Sequence, residues 1–206
     1  MSKNDQYRQL IDDVRTAYRS AQRELKWCDE CQEINLWTYW QGRGHLDARI
    51  MLVGQDWGCP WDAGAAEVMR NVQAMNRGQS IGYMRENESP TDRNLIELFR
   101  SIGFDILTDD SRLFFTNFVM GYRVKGTSGN FKKSWVAADA EYFRRLVEII
   151  RPRILLCLGK DTWKSVLGCF DSTISHKMSY NRVIESEKNP VVVSLSDGMP
   201  VYVFAL

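Results

Sequence analysis

Short apolar runs alternate with helical patterns along this chain, and that alternation constrains the fold more than any other feature. The runs at 48–53, 113–120 and 154–158 are rich in Leu, Ile, Val and Phe, which is typical of strands buried on both faces. Apolar residues at helical spacing predict helices between and around these runs, at 5–25, 63–76, 89–102, 134–150 and from 159 onward. Ser134 is a candidate cap for the helix at 134–150, and the polar segment at 77–89 predicts a loop. The alternation predicts a mainly parallel sheet covered on both faces, which is a three-layer α/β/α sandwich.

The end of the chain breaks this pattern. Two apolar stretches at 191–195 and 201–206 flank the polar segment at 196–200, and together they predict an antiparallel hairpin. Upstream, Arg151-Pro152 predicts the end of a helix, because the residue before a proline disfavours the α conformation. The chain has 206 residues and is 44% apolar, so we expect one domain, 1–206, with a single sheet.

Composition narrows the function classes. No apolar run approaches bilayer-spanning length and the N-terminus lacks a signal-peptide pattern, so we expect a cytoplasmic protein with no membrane partner. Five cysteines, an odd number, fit a reducing compartment. The net charge is only +1, but residues 111–164 carry eleven Lys and Arg against four Asp and Glu. This surplus is equally typical of solvated helix faces and of a basic face that binds phosphates.

The first strand runs directly into Gly54-Gln55-Asp56-Trp57-Gly58. In an open α/β sheet, ligands bind at the loops that leave the carboxyl ends of the strands, so Asp56 is placed for chemistry. The flanking glycines allow a sharp turn and a close approach of the backbone to a ligand.

Three segments, in this order, resemble the motifs of the uracil-DNA glycosylase superfamily. The turn at 54–58 is similar to its first active-site motif, and Leu113-Phe114-Phe115-Thr116-Asn117-Phe118-Val119 is similar to its strand ending in Thr-Asn-Val-Val. The segment 149–159, with Arg151-Pro152 and Leu158-Gly159, resembles its helix, Arg-Pro, strand and Leu-Gly signature. With an upstream Cys-x-x-Cys, the resemblance covers residues 28–164.

The resemblance implies a uracil-DNA glycosylase-like fold and a monomeric DNA glycosylase that needs no cofactor for catalysis. Its substrate would be DNA that contains uracil or another deaminated base, and the bond hydrolysed would be the N-glycosidic bond, as in base excision repair. Asp56 would lie beside the sugar, where a carboxylate stabilises an oxocarbenium-like transition state and activates water. Gln55 would contribute to the same site through its backbone amide.

Base and backbone contacts follow from the same resemblance. Asn117 would pair with the Watson–Crick edge of an extruded base. Gly58 stands where uracil-selective members carry a tyrosine that blocks thymine, so xanthine and hypoxanthine also remain possible substrates. The other residues assigned to the base are Gly54, Trp57 and Tyr83, and those assigned to the DNA backbone are Arg123, Lys125 and Lys160.

Each assignment has a structural alternative. An aspartate after a strand is also typical of turns and helix caps, and Asn117 could satisfy backbone groups at a strand end. Phe114, Phe115 and Phe118 fit a buried core better than a stacking platform. The alternative function is therefore a non-catalytic relative of the same fold that binds nucleic acid or a nucleobase. The glycosylase hypothesis requires Asp56 to lie near Asn117 and beside a pocket, not in a salt bridge without one.

Cys28 and Cys31 match half of the four-cysteine iron–sulfur site found in one branch of the superfamily. The other two positions hold Gly121 and approximately Asp139, so we expect no complete cluster. The pair could still hold zinc or a partial iron–sulfur site as a structural metal. A thioredoxin-type pair should follow a strand and open a helix, and here it follows a helix, which disfavours a redox function.

Two sequence patterns are absent: the glycine-rich motifs of nucleotide-binding domains and the C-terminal loop of the uracil-DNA glycosylase superfamily. No Gly-x-Gly-x-x-Gly or Gly-x-x-x-x-Gly-Lys-(Ser/Thr) pattern follows a strand, which disfavours a nucleotide-binding domain. The superfamily also continues past its last core strand into a His-Pro-Ser-like loop, whereas this sequence stops at Leu206. Neither His45 nor His176 takes that place in the sequence. Either the domain is truncated at its C-terminus, which we favour, or the protein works without that histidine.

Overall fold

The computed structural model describes residues 1–20, 23–27, 34, 45–58, 90–106, 112–124, 131–170, 179–185 and 189–206. Five strands form one sheet with the order β2-β1-β3-β5-β4. The strands are β1 (Ile50–Gly54), β2 (Leu113–Asn117), β3 (Ile154–Cys157), β4 (Val191–Ser194) and β5 (Pro200–Ala205). The predicted helix at 63–76 and the predicted loop at 77–89 lie outside the described residues.

The helices are α1 (Lys3–Ser20), α2 (Pro90–Ser101), α3 (Lys133–Ile150), α4 (Lys160–Phe170) and α5 (Tyr180–Ile184), with a 3-10 turn at His45–Asp47. Helix α1 ends at Ser20, earlier than the predicted residue 25. Helix α3 has Lys132 at its N-cap with no side-chain capping bond, so the prediction that Ser134 caps this helix is wrong. Within the described chain, no helix is both long and apolar enough to cross a membrane.

The sheet is mainly parallel, as the sequence predicts. Strand β1 pairs in parallel with β2 and β3, and β3 pairs in parallel with β5. Strand β4 is antiparallel to β5, which confirms the hairpin. Helix α3 ends before Pro152 as predicted: Arg151 adopts a left-handed conformation (φ 58°) and its N–H donates to the Val147 carbonyl at 2.8 Å.

Residues alternate along the strands between two apolar clusters, one on each face of the sheet. Met51, Val53 and Phe114 join α1, α3 and α4 in the larger cluster. Leu52 and Phe115 join α2 in the smaller one. Both layers remove apolar surface from water, which is the main favourable contribution to folding. The helices therefore cover both faces, and the phenylalanines of β2 belong to the core.

The order of the strands defines where a ligand can bind. Strand β1 lies between β2 and β3, so the chain adds β2 on one side of β1 and then crosses back to add β3 on the other side. A crevice forms at such a reversal, outside the carboxyl ends of the strands. The turn at 54–58 lies at that position.

Candidate functional site

Gly54 and Asn117 lie directly against each other at the carboxyl ends of β1 and β2. They are register partners in the parallel pair. A β-carbon at position 54 would overlap Asn117 Oδ1, so the side-chain amide occupies the space that any residue other than glycine would fill. Asn117 is 3% exposed. The contact explains why the turn begins with glycine and fixes where the amide sits.

The turn after β1 is also bonded to the segment after β2. Phe118 N–H donates to the Gly54 carbonyl at 2.9 Å, and Val119 N–H donates to the Gln55 carbonyl at 3.1 Å. Further along, Arg123 N–H donates to the Trp57 carbonyl at 3.1 Å. These bonds hold the two segments side by side, so the residues of the first motif pack against those that follow Asn117.

Asp56 is buried in an ion pair. Its carboxylate Oδ2 lies 2.5 Å from Arg123 Nη2, and the side chains are 7% and 10% exposed. Burial raises the pKa of Asp56 above its usual range, and the nearby Arg123 guanidinium opposes that rise. The Arg123 guanidinium carbon also lies 5.1 Å from the centre of the Trp135 ring. Asp56 therefore sits in a protected environment with a fixed cation beside it.

Trp57 is buried on the neighbouring side of the turn. Its indole is 4% exposed and stacks on Tyr122, with 5.9 Å between ring centroids and 25° between ring planes. Tyr122 in turn is bonded through its backbone to Lys26, at 2.8 and 2.9 Å. In this arrangement Trp57 anchors the turn to two other segments, and its contact with a base stays a prediction.

The structure brings some of the other sequence-predicted residues to the same edge. Lys160 is exposed at the start of α4, just beyond the carboxyl end of β3. Since β1, β2 and β3 are parallel, this is the edge that carries Asp56 and Asn117. Gly58 is half-buried at the end of the described turn. Four other predicted residues lie outside the described part of the chain: Cys28, Cys31, Tyr83 and Lys125.

His45 lies at the opposite end of the sheet. It precedes the start of β1 and packs near the rings of Tyr7 and Phe114, with centroids 6.2 and 6.0 Å away. Burial lowers the pKa of His45 to about 4, so the imidazole is neutral at pH 7. This position excludes His45 from the site at the carboxyl edge. His176 lies outside the described residues.

A buried polar network occupies the two positions where the iron–sulfur branch would have its remaining cysteines. A β-carbon at Gly121 would overlap the Tyr18 ring. The fully buried Asp139 carboxylate accepts hydrogen bonds from the Tyr18 hydroxyl, from Arg23 Nη1 at 2.6 Å and from Met120 N–H at 2.8 Å. Among the residues that the structure describes, no group of three metal-ligating side chains occurs. A metal at Cys28 and Cys31 stays a prediction.

A cavity of about 260 Å³ lies next to this network. Trp135, which contacts Arg123, forms part of its wall. The other lining residues come from α1, the 23–25 segment and the first turns of α3: Tyr18, Arg23, Glu24, Leu25, Ser134 and Ala138. Asp56 and Asn117 are not among the residues that line this cavity, so it is not the pocket that the glycosylase hypothesis requires beside Asp56. The ion pair of Asp56 with Arg123 is the arrangement that counts against that hypothesis.

Sequence reasoning missed the partnership of Asp56 with Arg123. The sequence assigns Arg123 to the DNA backbone because it follows the asparagine strand in a basic segment. One signal favours the pairing: a carboxylate and a guanidinium each follow one of two neighbouring parallel strands, so their loops share an edge. The assignment of Arg123 to DNA phosphates stays a prediction, and the structure adds its contact with Asp56.

No model of a known protein family matches the chain. A search of curated proteins also finds no match.

Proposed function

We propose that this protein is a DNA glycosylase that hydrolyses the N-glycosidic bond of uracil or another deaminated base in DNA. The observation that carries the proposal is the contact between Asn117 and Gly54, with Asp56 two residues further along the same turn. A base-reading amide and a buried carboxylate thereby share the crevice at the reversal point of the sheet. The motif resemblance of the three segments supports the same function.

In this mechanism the base leaves as an anion and the sugar becomes cationic. Asp56 Oδ2 is engaged by Arg123, so the other oxygen, Oδ1, is the atom assigned to hold the attacking water. The carboxylate charge also favours the developing cation, and this effect is larger in a buried site than in water. Asn117 offers one amide donor and one acceptor to the extruded base, in a position fixed by Gly54.

The test is base excision from oligonucleotides that carry uracil, hypoxanthine or xanthine, followed by alkali to reveal abasic sites. We expect wild-type protein to cleave at least one of them. Asp56→Asn should lower the single-turnover rate by about 10²–10⁴-fold, the range for loss of a general base, while oligonucleotide affinity changes little. Asp161→Asn, on the exposed first turn of α4, is the matched control and should retain full activity.

Wild-type activity in Asp56→Asn would reject the assigned mechanism. The ion pair with Arg123 specifically favours the second candidate, a non-catalytic relative that binds nucleic acid or a nucleobase, because the guanidinium leaves the carboxylate ionised but offsets the negative field that a cationic sugar would need. That candidate predicts oligonucleotide binding by the wild-type protein without cleavage of any deaminated base. Binding measured by fluorescence anisotropy on the same oligonucleotides separates the two.

A further inference from the structure

Both the backbone and the side chain of Arg123 are held by contacts. At the backbone, its N–H donates to the Trp57 carbonyl at 3.1 Å, which joins it to the turn that carries Asp56. At the side chain, the guanidinium lies over Trp135, whose indole Nε1 donates to Glu24 at 3.1 Å. Glu24 also accepts from Lys132 at 2.6 Å. The ring that carries the guanidinium is therefore itself fixed by hydrogen bonding.

We propose that Arg123 is a positioning residue for Asp56: its guanidinium, held on the face of Trp135, fixes the carboxylate in one orientation and keeps it charged inside the protein. The proposal rests on the proposed glycosylase function for its catalytic meaning. Arginine suits the task because its charge is permanent and its planar group stacks on an aromatic ring while contacting a carboxylate. A lysine keeps the charge but loses the planar stacking.

The charge state of Asp56 decides whether it can work. A carboxylate that is 7% exposed strongly favours its protonated form unless a cation compensates. A protonated carboxyl group cannot take a proton from water, so Arg123 would determine how far into the acidic range the reaction continues. Burial outweighs the guanidinium, so the pKa of Asp56 stays above its usual range, and Arg123 limits that rise.

Other charged groups near this pair have less influence on the charge of Asp56. Glu24 and Lys132 lie beyond Trp135, pair with each other and are about half exposed, so solvent screens them. Lys26 meets this region through its backbone bonds with Tyr122. Among the charged side chains that the structure describes, Arg123 is the one in contact with Asp56.

The experiment compares Arg123→Gln and Arg123→Lys with Arg145→Gln. Arg145 pairs with Asp13 at 2.7 Å between α3 and α1, so its variant removes a more exposed aspartate–arginine pair away from the site. Two quantities are measured against pH: the ¹³C carboxyl shift of Asp56, assigned through Asp56→Asn, and the single-turnover rate of base excision. Arg123→Gln should raise the titration midpoint of Asp56 and the acidic limit of the rate by about one to three pH units. Arg123→Lys should recover most of that change, and Arg145→Gln should show none.

An unchanged titration of Asp56 in Arg123→Gln would overturn the proposal, and so would an equal shift in Arg145→Gln. Arg123→Lys keeps a cation in the buried position, so it provides a folded variant if Arg123→Gln unfolds, and its failure to hold the wild-type titration within one pH unit would count against the proposal. The carboxyl titration needs no turnover. Absence of base excision by the wild-type protein would therefore reject the glycosylase function, while the titration would still decide whether Arg123 keeps Asp56 charged.

Discussion

Two buried aspartate–arginine pairs in this protein differ in how completely the carboxylate is bonded. Asp139 accepts from the hydroxyl of Tyr18, from Arg23 and from the backbone of Met120, so both oxygens are engaged. Asp56 has Arg123 as the partner that the structure describes, through one oxygen. The first pair joins α1, α3 and the segment after β2, whereas the second lies at the carboxyl edge of the parallel strands.

This difference separates a structural role from a chemical one. Three donors that converge on one carboxylate occupy most of its acceptor positions, so few remain for a water molecule or a ligand. A carboxyl group whose pKa is raised by burial, at the end of a sheet strand, is more typical of a functional site than a fully bonded one. The comparison supports assigning Asp139 to the architecture and Asp56 to the chemistry.

The largest expected effect comes from changing each aspartate to asparagine. Asp139→Asn should lower the free energy of unfolding by about 3–5 kcal/mol, because an amide has one oxygen and leaves either Arg23 or the Met120 N–H facing an NH₂ group. Asp56→Asn should cost less than half as much at pH 7. Since burial raises the pKa of Asp56, its ionisation lowers stability as pH rises through that pKa, and the amide removes this cost.

Urea denaturation of both variants at pH 7 measures the difference. Equal destabilisation would remove the distinction between the two pairs. At lower pH the cost of Asp56→Asn should increase, because protonation of Asp56 stabilises the wild type while the amide does not titrate.

His45 must be separated from both aspartates before their pH dependence is compared. Its pKa is about 4 in the folded protein against about 6.5 when unfolded, so the unfolded chain binds the proton first as pH falls. Its contribution is fully present above pH 6.5 and is lost between pH 6.5 and 4, in total about 3 kcal/mol. His45→Phe should flatten the stability curve of the protein over this interval, as measured by urea denaturation at several pH values. A curve as steep as that of the wild type would show that His45 is not the group responsible.

The smallest effect tests a single donor of the Asp139 network. Tyr18→Phe keeps the ring against Gly121 and removes one hydrogen bond to the carboxylate. Loss of a hydrogen bond to a charged group costs about 1.5–3 kcal/mol, so we expect a decrease of about 2 kcal/mol in the free energy of unfolding. Asp139→Asn combined with Tyr18→Phe should cost less than the sum of the two, because both act on the same oxygen. Strict additivity of the two changes would argue against a shared network.

Local patterns predict most of the fold. The three parallel strands, the final hairpin and the helix end before Pro152 are confirmed. These features follow from the spacing of apolar residues and from the conformational restriction before proline, and both signals depend on only a few neighbouring residues. The helix ends were predicted less well: α1 stops at Ser20, and α3 starts without a capping bond from Ser134. Helix ends depend on packing with distant segments as much as on local residues.

The candidate site was predicted in part. The motif turn and Asn117 lie together because β1 and β2 are neighbouring parallel strands that end at the same edge of the sheet. The sequence predicts this because each of these residues directly follows or ends a predicted strand. The pairing of Asp56 with Arg123 and the network around Asp139 depend on contacts between segments far apart in the chain. Their residues, taken one at a time, are equally typical of solvated loops and helix surfaces, so no local pattern distinguishes them.

The close contact at Gly54 has a consequence for redesign. Under the proposed function, a library intended to alter the preferred base should keep this position unchanged, because even a methyl group there would displace the Asn117 amide. Variation is better directed to the residues that surround the Asn117 amide than to Gly54. Gly54→Ala then serves as a benchmark of how much misplacement of the amide a selection can tolerate.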